Sequence, residues 1–111
     1  MELLVIVLNR VEKLGRVLGA LTQAGVSGAT VFESVGTGRA RPTGHLPLIS
    51  GLRRMVEGDK QHSDTIFCLV PDPAALTTAV AAVRAVMALG EPGEGLMFTL
   101  PVGSVFDREG L

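Results

Sequence analysis

At 111 residues, with 47% apolar and 19% charged side chains, the chain has material for one core and is too apolar to be disordered. Its net charge of −1 argues against a nucleic-acid binder, and its single cysteine excludes a disulfide framework and fits a cytosolic protein. No apolar run approaches the roughly 20 residues of a membrane span.

The stretch from Met1 to Leu8 lacks a basic leader region and reads as a strand rather than a signal peptide. Leu3 to Leu8 is continuously apolar, as in a strand buried on both faces. Asn9 then offers an N-cap, and Glu12, three residues on, completes a capping box. A helix is expected to about Ala24, because Val11, Leu14, Val17, Leu18 and Leu21 recur at helical spacing. Gly25 ends it. The β-branched run from Ala29 to Val35 predicts a second strand. It runs out into Gly36, Thr37, Gly38 and Arg39, where two glycines and a cation can face an anion.

The connection from Gly36 to Asp64 far exceeds a hairpin loop of about 2–5 residues, and a loop that long is usually functional or partly disordered. Ile49, Leu52, Met55 and Val56 fall at helical spacing between Pro47 and Gly58. They predict a short amphipathic helix inside the loop, with Arg53 and Arg54 on its other side. Between Arg39 and His62 lie five of the ten cations, both histidines and two of the eleven acids. That excess of positive charge suggests a docking element, with Arg41, His45, Arg53 and Arg54 as its contacting residues.

Thr65 to Val70 predicts a third strand. Asp72 caps a second helix that has Pro73 at its first position. This helix is expected to run to about Leu89, with Leu76, Val80, Val83 and Met87 on one stripe. Gly90 to Gly95 is turn-rich. Leu96 to Val102 predicts a fourth strand, with Pro101 marking an edge. The order strand, helix, strand, strand, helix, strand implies an α+β, ferredoxin-like sandwich in one domain over residues 1–111. It has a four-stranded antiparallel sheet and two helices on one face. Strands one and three are apolar at nearly every position, so the uncovered face calls for another copy of the chain.

No catalytic constellation emerges, and no enzyme is expected. Cys68 sits mid-strand as an apolar filler. His45 and His62 have no metal-ligand spacing, so no metal is expected. Glu91 and Glu94 read as solvated turn residues. Two glycine turns remain, Gly36 to Arg39 and Gly93-Glu94-Gly95. Neither is a nucleotide-binding signature alone. Symmetric packing would bring one subunit's turn near its neighbour's, where backbone N–H groups can cradle a phosphate.

On these residues the sequence resembles the nitrogen-regulatory PII family and its PII-like relatives. The match spans nearly the whole chain. It is carried by Leu18 to Arg39, with Ala24 to Val31 and Gly36 to Arg39 within it, and by Gly90 to Phe98 with the run on to Val105. The resemblance implies a signal-transduction homotrimer with adenine-nucleotide sites between subunits. It also implies a long T-loop, here about Arg39 to Asp64, that docks on a transporter, enzyme or regulator. Thr30 matches a threonine near the adenine. Gly36, Thr37, Gly38 and Arg39 match the base of the T-loop. Gly93, Glu94 and Gly95 match the phosphate-side turn, with Glu94 replacing an aspartate. Other positions depart from the family. Leu96 and Glu91 stand at basic positions, and Asp107 and Glu109 stand where two arginines hold phosphates. There is no tyrosine to be uridylylated. Fewer charge-assisted bonds to phosphate favour AMP, ADP or a cyclic nucleotide over Mg-ATP as allosteric ligand.

Other readings differ in what they require. A dimeric amino-acid-sensing module would have the mass of a dimer. An RNA-recognition domain would need aromatics on the middle strands, which read as lacking a platform. An acylphosphatase-type enzyme would use Asn9 and Arg10, read first as a helix cap. A structural oligomer would bind no nucleotide at all.

Overall fold

The computed structural model describes residues 1–36 and 62–107. In chain order these form β1 (Glu2–Leu8), a 3-10 turn (Val11–Lys13), α1 (Leu14–Gln23), β2 (Thr30–Val35), β3 (His62–Val70), α2 (Pro73–Arg84) and β4 (Gly95–Pro101). The strands lie in the order β2-β3-β1-β4, and each neighbouring pair is antiparallel. Each helix links two parallel strands across a third that lies between them, which is the ferredoxin-like arrangement expected from the element order.

The core forms where apolar side chains of the two middle strands meet the helices. Leu4, Ile6 and Leu8 of β1 and Ile66, Cys68 and Val70 of β3 cluster with Val17, Leu21, Ala79, Val83 and Met87, all buried. Each large side chain so buried contributes about 1.5–3 kcal/mol. Helix α1 ends as Gly25 predicts. Gly25 adopts φ +90°, its N–H bonds Thr22 O at 3.0 Å, and the Val26 N–H reaches back to Leu21 O at 2.9 Å. Only glycine takes that conformation without steric cost, and the two bonds satisfy carbonyls the helix would otherwise orphan. Helix α2 starts as Asp72 and Pro73 predict: Asp72 Oδ1 accepts from the Ala75 N–H at 2.8 Å.

Several boundaries differ from the sequence reading. Asn9 caps no helix. A 3-10 turn precedes α1, and neither Arg10 nor Lys13, at the two N-cap positions, makes a side-chain cap. Helix α2 stops at Arg84, short of Leu89. Beyond it Val86 O accepts from Lys13 Nζ at 3.3 Å, and Met87 turns into the core. Strand β3 begins at His62 rather than Thr65, pairing His62 with Val35 and Asp64 with both Glu33 and Leu8. His62, Ser63 and Asp64 therefore belong to the sheet and not to the loop. The predicted loop helix, with Arg41, His45, Arg53 and Arg54, lies outside the described residues.

The register resolves the second sheet face into rows. Leu69, Leu3 and Leu100 form one row, Thr30, Phe67, Val5 and Phe98 the next, and Phe32, Thr65, Val7 and Leu96 a third. Phe32, Leu69, Leu96, Phe98 and Leu100 are 40–51% exposed. The middle strands do carry one aromatic on this face, Phe67. It meets Phe32 edge-on with ring centroids 5.6 Å apart.

The cap of α2 is separable from the rest of the fold. Asp72→Ala should cost about 1 kcal/mol in urea unfolding, and Asp72→Asn less than half of that, since asparagine caps nearly as well. Equal losses in the two variants would mean that the charge matters and the cap does not.

Candidate functional site

The fourth row of the open face is polar, and it sits at the end of the sheet where the connection 37–61 leaves β2 and enters β3. Ser34 Oγ lies 2.8 Å from Thr65 Oγ1 and donates to Ser63 O at 3.3 Å. Ser63 Oγ donates to Asn9 Oδ1 at 2.9 Å. The Asn9 N–H donates to Glu94 O at 3.1 Å. Asn9 thus fastens strand ends together instead of starting a helix. Its side-chain oxygen is taken by a residue far away in sequence, which local spacing does not reveal.

Glu94 closes this row on the β4 side. It is 3% exposed, so it is not the solvated turn residue that its glycine-rich setting suggests. Lys13 Nζ lies 2.7 Å from Glu94 Oε2, and Arg10 Nε lies 3.6 Å from Oε1. A buried carboxylate needs such partners, because an uncompensated charge in the interior is very costly. The hydrogen bond from Lys13, reinforced by both cations, holds the Glu94 carboxyl below the usual carboxylate range against the opposing effect of desolvation. Lys13 was missed by sequence reasoning, and Arg10 was read only as a helix cap or an acylphosphatase-type residue, not as a partner of Glu94. Their spacing of three places both on one side of a helical turn, but nothing local names Glu94 as their target.

The glycines beside Glu94 shape the turn. Gly93 has φ +79°. Gly95 has φ +133°, and a Cβ there would stand 2.0 Å from Val7 O, so β4 starts in direct backbone contact with β1 only because this residue has no side chain.

The predicted ligand residues are distributed as follows. Gly36 and the Gly93–Gly95 turn share one end of the sheet. They belong to opposite edge strands, three strand spacings or roughly 14 Å apart. Thr30 lies at the other end of β2, exposed, about 20 Å along the strand from Gly36. One chain therefore does not bring these three positions together. Thr37, Gly38 and Arg39 lie outside the described residues. Arg10, whose side chain is 52% exposed, is the more exposed of the two cations beside the Gly93–Gly95 turn. Asn9 and Arg10, which an acylphosphatase-type site would need, are both engaged within the chain. Cys68 is buried, and desolvation pushes its thiol up, in keeping with an unreactive core residue. Among the described residues no cluster of histidine, cysteine and carboxylate side chains could hold a metal, and no helix is long and apolar enough to cross a membrane.

The pH dependence of stability tests the Glu94 assignment. Its folded value is depressed, so the stability it contributes is present above the ordinary glutamate range near pH ~4.3. That stability is lost as pH falls through the lower folded value. Glu94→Gln should therefore flatten the acid limb of a stability-against-pH profile measured by urea unfolding. Superimposable acid limbs for the two proteins would contradict it.

A family model described as nitrogen regulatory protein P-II matches residues 1–107. In a comparison with curated proteins, nothing matches.

Proposed function

Because the chain belongs to the nitrogen regulatory protein P-II family, a family of signal-transduction regulators, we propose that it is a cytoplasmic homotrimer that senses an adenine nucleotide and regulates a partner protein. The observation that carries this reading is the open sheet face. Phe32, Leu69, Leu96, Phe98 and Leu100 stand exposed together on this face of the single chain, and contiguous exposed apolar surface marks an interaction site. Three copies with these faces turned inward bury them against one another.

Assembly also supplies what one chain lacks. The Gly36 and Gly93–Gly95 turns occupy opposite edges of the same end of the sheet, so an edge-to-edge neighbour sets one copy's turn beside the other's. A nucleotide in that cleft meets the backbone N–H groups of both turns. Glu94 does not repel its phosphates, because Lys13 and Arg10 already neutralise the carboxylate. Leu96, Glu91 and Asp107 offer no cation, which favours AMP, ADP or a cyclic nucleotide over Mg-ATP. Thr30, Thr37, Gly38 and Arg39 enter this reading through the family resemblance. The partner, a transporter, enzyme or regulator, docks on the basic segment that contains Arg41, His45, Arg53 and Arg54. To act as a signal, the ligand must bind two states of that segment with different affinity.

Isothermal titration calorimetry with AMP, ADP, cyclic AMP and Mg-ATP tests the proposal. One of the first three should bind at one site per chain, with Mg-ATP weaker by about tenfold or more, a difference of ~1.4 kcal/mol. Arg39→Ala should weaken the best ligand by a similar factor. Heat from none of them, with folded protein, would favour an oligomeric module that binds no nucleotide.

A further inference from the structure

Among the described residues the buried polar side chains are Ser63, Thr65 and Glu94; Ser63 and Glu94 lie in the polar row at one end of the sheet, and Thr65, in the row before it, bonds Ser34 of that row. A buried polar group costs stability unless it is hydrogen-bonded, and none in this row lacks a partner. The row links residues in β2 and β3 to those flanking the ends of β1 and β4. It starts at Lys13, passes through the Glu94 carboxylate and main chain to the Asn9 N–H, continues from Asn9 Oδ1 to Ser63 Oγ, and ends where the Ser63 carbonyl meets Ser34 Oγ. At one end is the Gly93–Gly95 turn. At the other are Ser34, Val35 and Gly36, the last described residues before the long connection. A core of apolar side chains would hold the same strands together more simply. A satisfied polar row instead ties the position of each strand end to that of the next, because each side-chain donor or acceptor in it has a defined direction.

We propose that this row mechanically couples the Gly93–Gly95 turn to the β2 and β3 ends that carry the 37–61 connection. Asn9 and Ser63 act as positioning residues. The use of this coupling in signalling rests on the sensor reading above, but the coupling itself is a property of the free protein. A shift of the turn moves Glu94 O, which pulls on Asn9. Asn9 then reorients Ser63, and Ser63 changes what Ser34 can bond.

Amide hydrogen exchange on the ligand-free, full-length protein tests this. Lys13→Met removes the main partner of Glu94 at the turn end. Exchange at Ser34, Val35, Gly36 and Ser63 should then quicken by about tenfold or more, while Ile66 to Val70 and Val17 to Leu21 stay within about twofold. Ser63→Ala cuts the row in the middle. In that background Lys13→Met should change exchange at Ser34 to Gly36 by less than about twofold, which is the non-additivity that marks a true coupling. Where Lys13→Met does not fold, Glu94→Gln is read in the same way. Unchanged exchange at Ser34 to Gly36, acceleration of the same size with and without Ser63→Ala, or acceleration spread evenly over the whole sheet would each overturn the proposal. Nucleotide calorimetry on the wild-type protein separates the two claims. Failure to bind removes the sensor and leaves the exchange result standing.

Discussion

A four-stranded sheet with apolar side chains on both faces has helices for only one of them. That imbalance governs the rest of the molecule. Strand β1 shows it most directly: Leu4, Ile6 and Leu8 vanish beneath α1 and α2, while Leu3, Val5 and Val7 alternate onto the other side. The neighbours on that side, Leu69, Phe67, Phe98, Leu96 and Leu100, extend the apolar surface over three rows. Burying such a surface is the main favourable term in both folding and association. A chain that leaves it open in isolation is the basis for proposing assembly.

The same face ends abruptly in polarity. After three rows that are apolar except at Thr30 and Thr65 come Ser34, Ser63 and Asn9, with Glu94 beside them. Here the chain accepts the cost of burying polar groups, and it meets that cost by satisfying each of them. Glu94 is the extreme case, a carboxylate almost out of solvent that depends on Lys13 and Arg10. The result neutralises an acid inside a turn that would otherwise repel anions. Gly95 completes the turn by allowing backbone contact with Val7 that any side chain would block.

Much of this was legible in the sequence, for identifiable reasons. Continuous apolar runs marked β1 and β3, and Gly25, Asp72 and Pro73 marked helix ends, because these signals act through the local backbone. The fold followed from element order, and the family model agrees with it. The site was less legible, because its determinants are distant in sequence. An asparagine after a strand looks the same whether it caps a helix or bonds a serine on β3, and the choice was made by Ser63. A glutamate between two glycines looks solvated until Lys13 arrives from the other side of the chain. His62 to Asp64 read as loop because their polarity hid the start of a strand whose first open-face residue, Ser63, is hydrogen-bonded rather than apolar. The middle strands read as lacking an aromatic platform, whereas the register puts one aromatic, Phe67, on the open face opposite Val5.

Assembly is the claim on which the account turns, since both the apolar face and the divided turns need a neighbour. Sedimentation equilibrium of the purified protein over a range of concentrations measures it without any assumption about ligand. The account predicts three times the mass of one chain, held down to low micromolar concentration. A monomer, with its open face still in solvent, would contradict it.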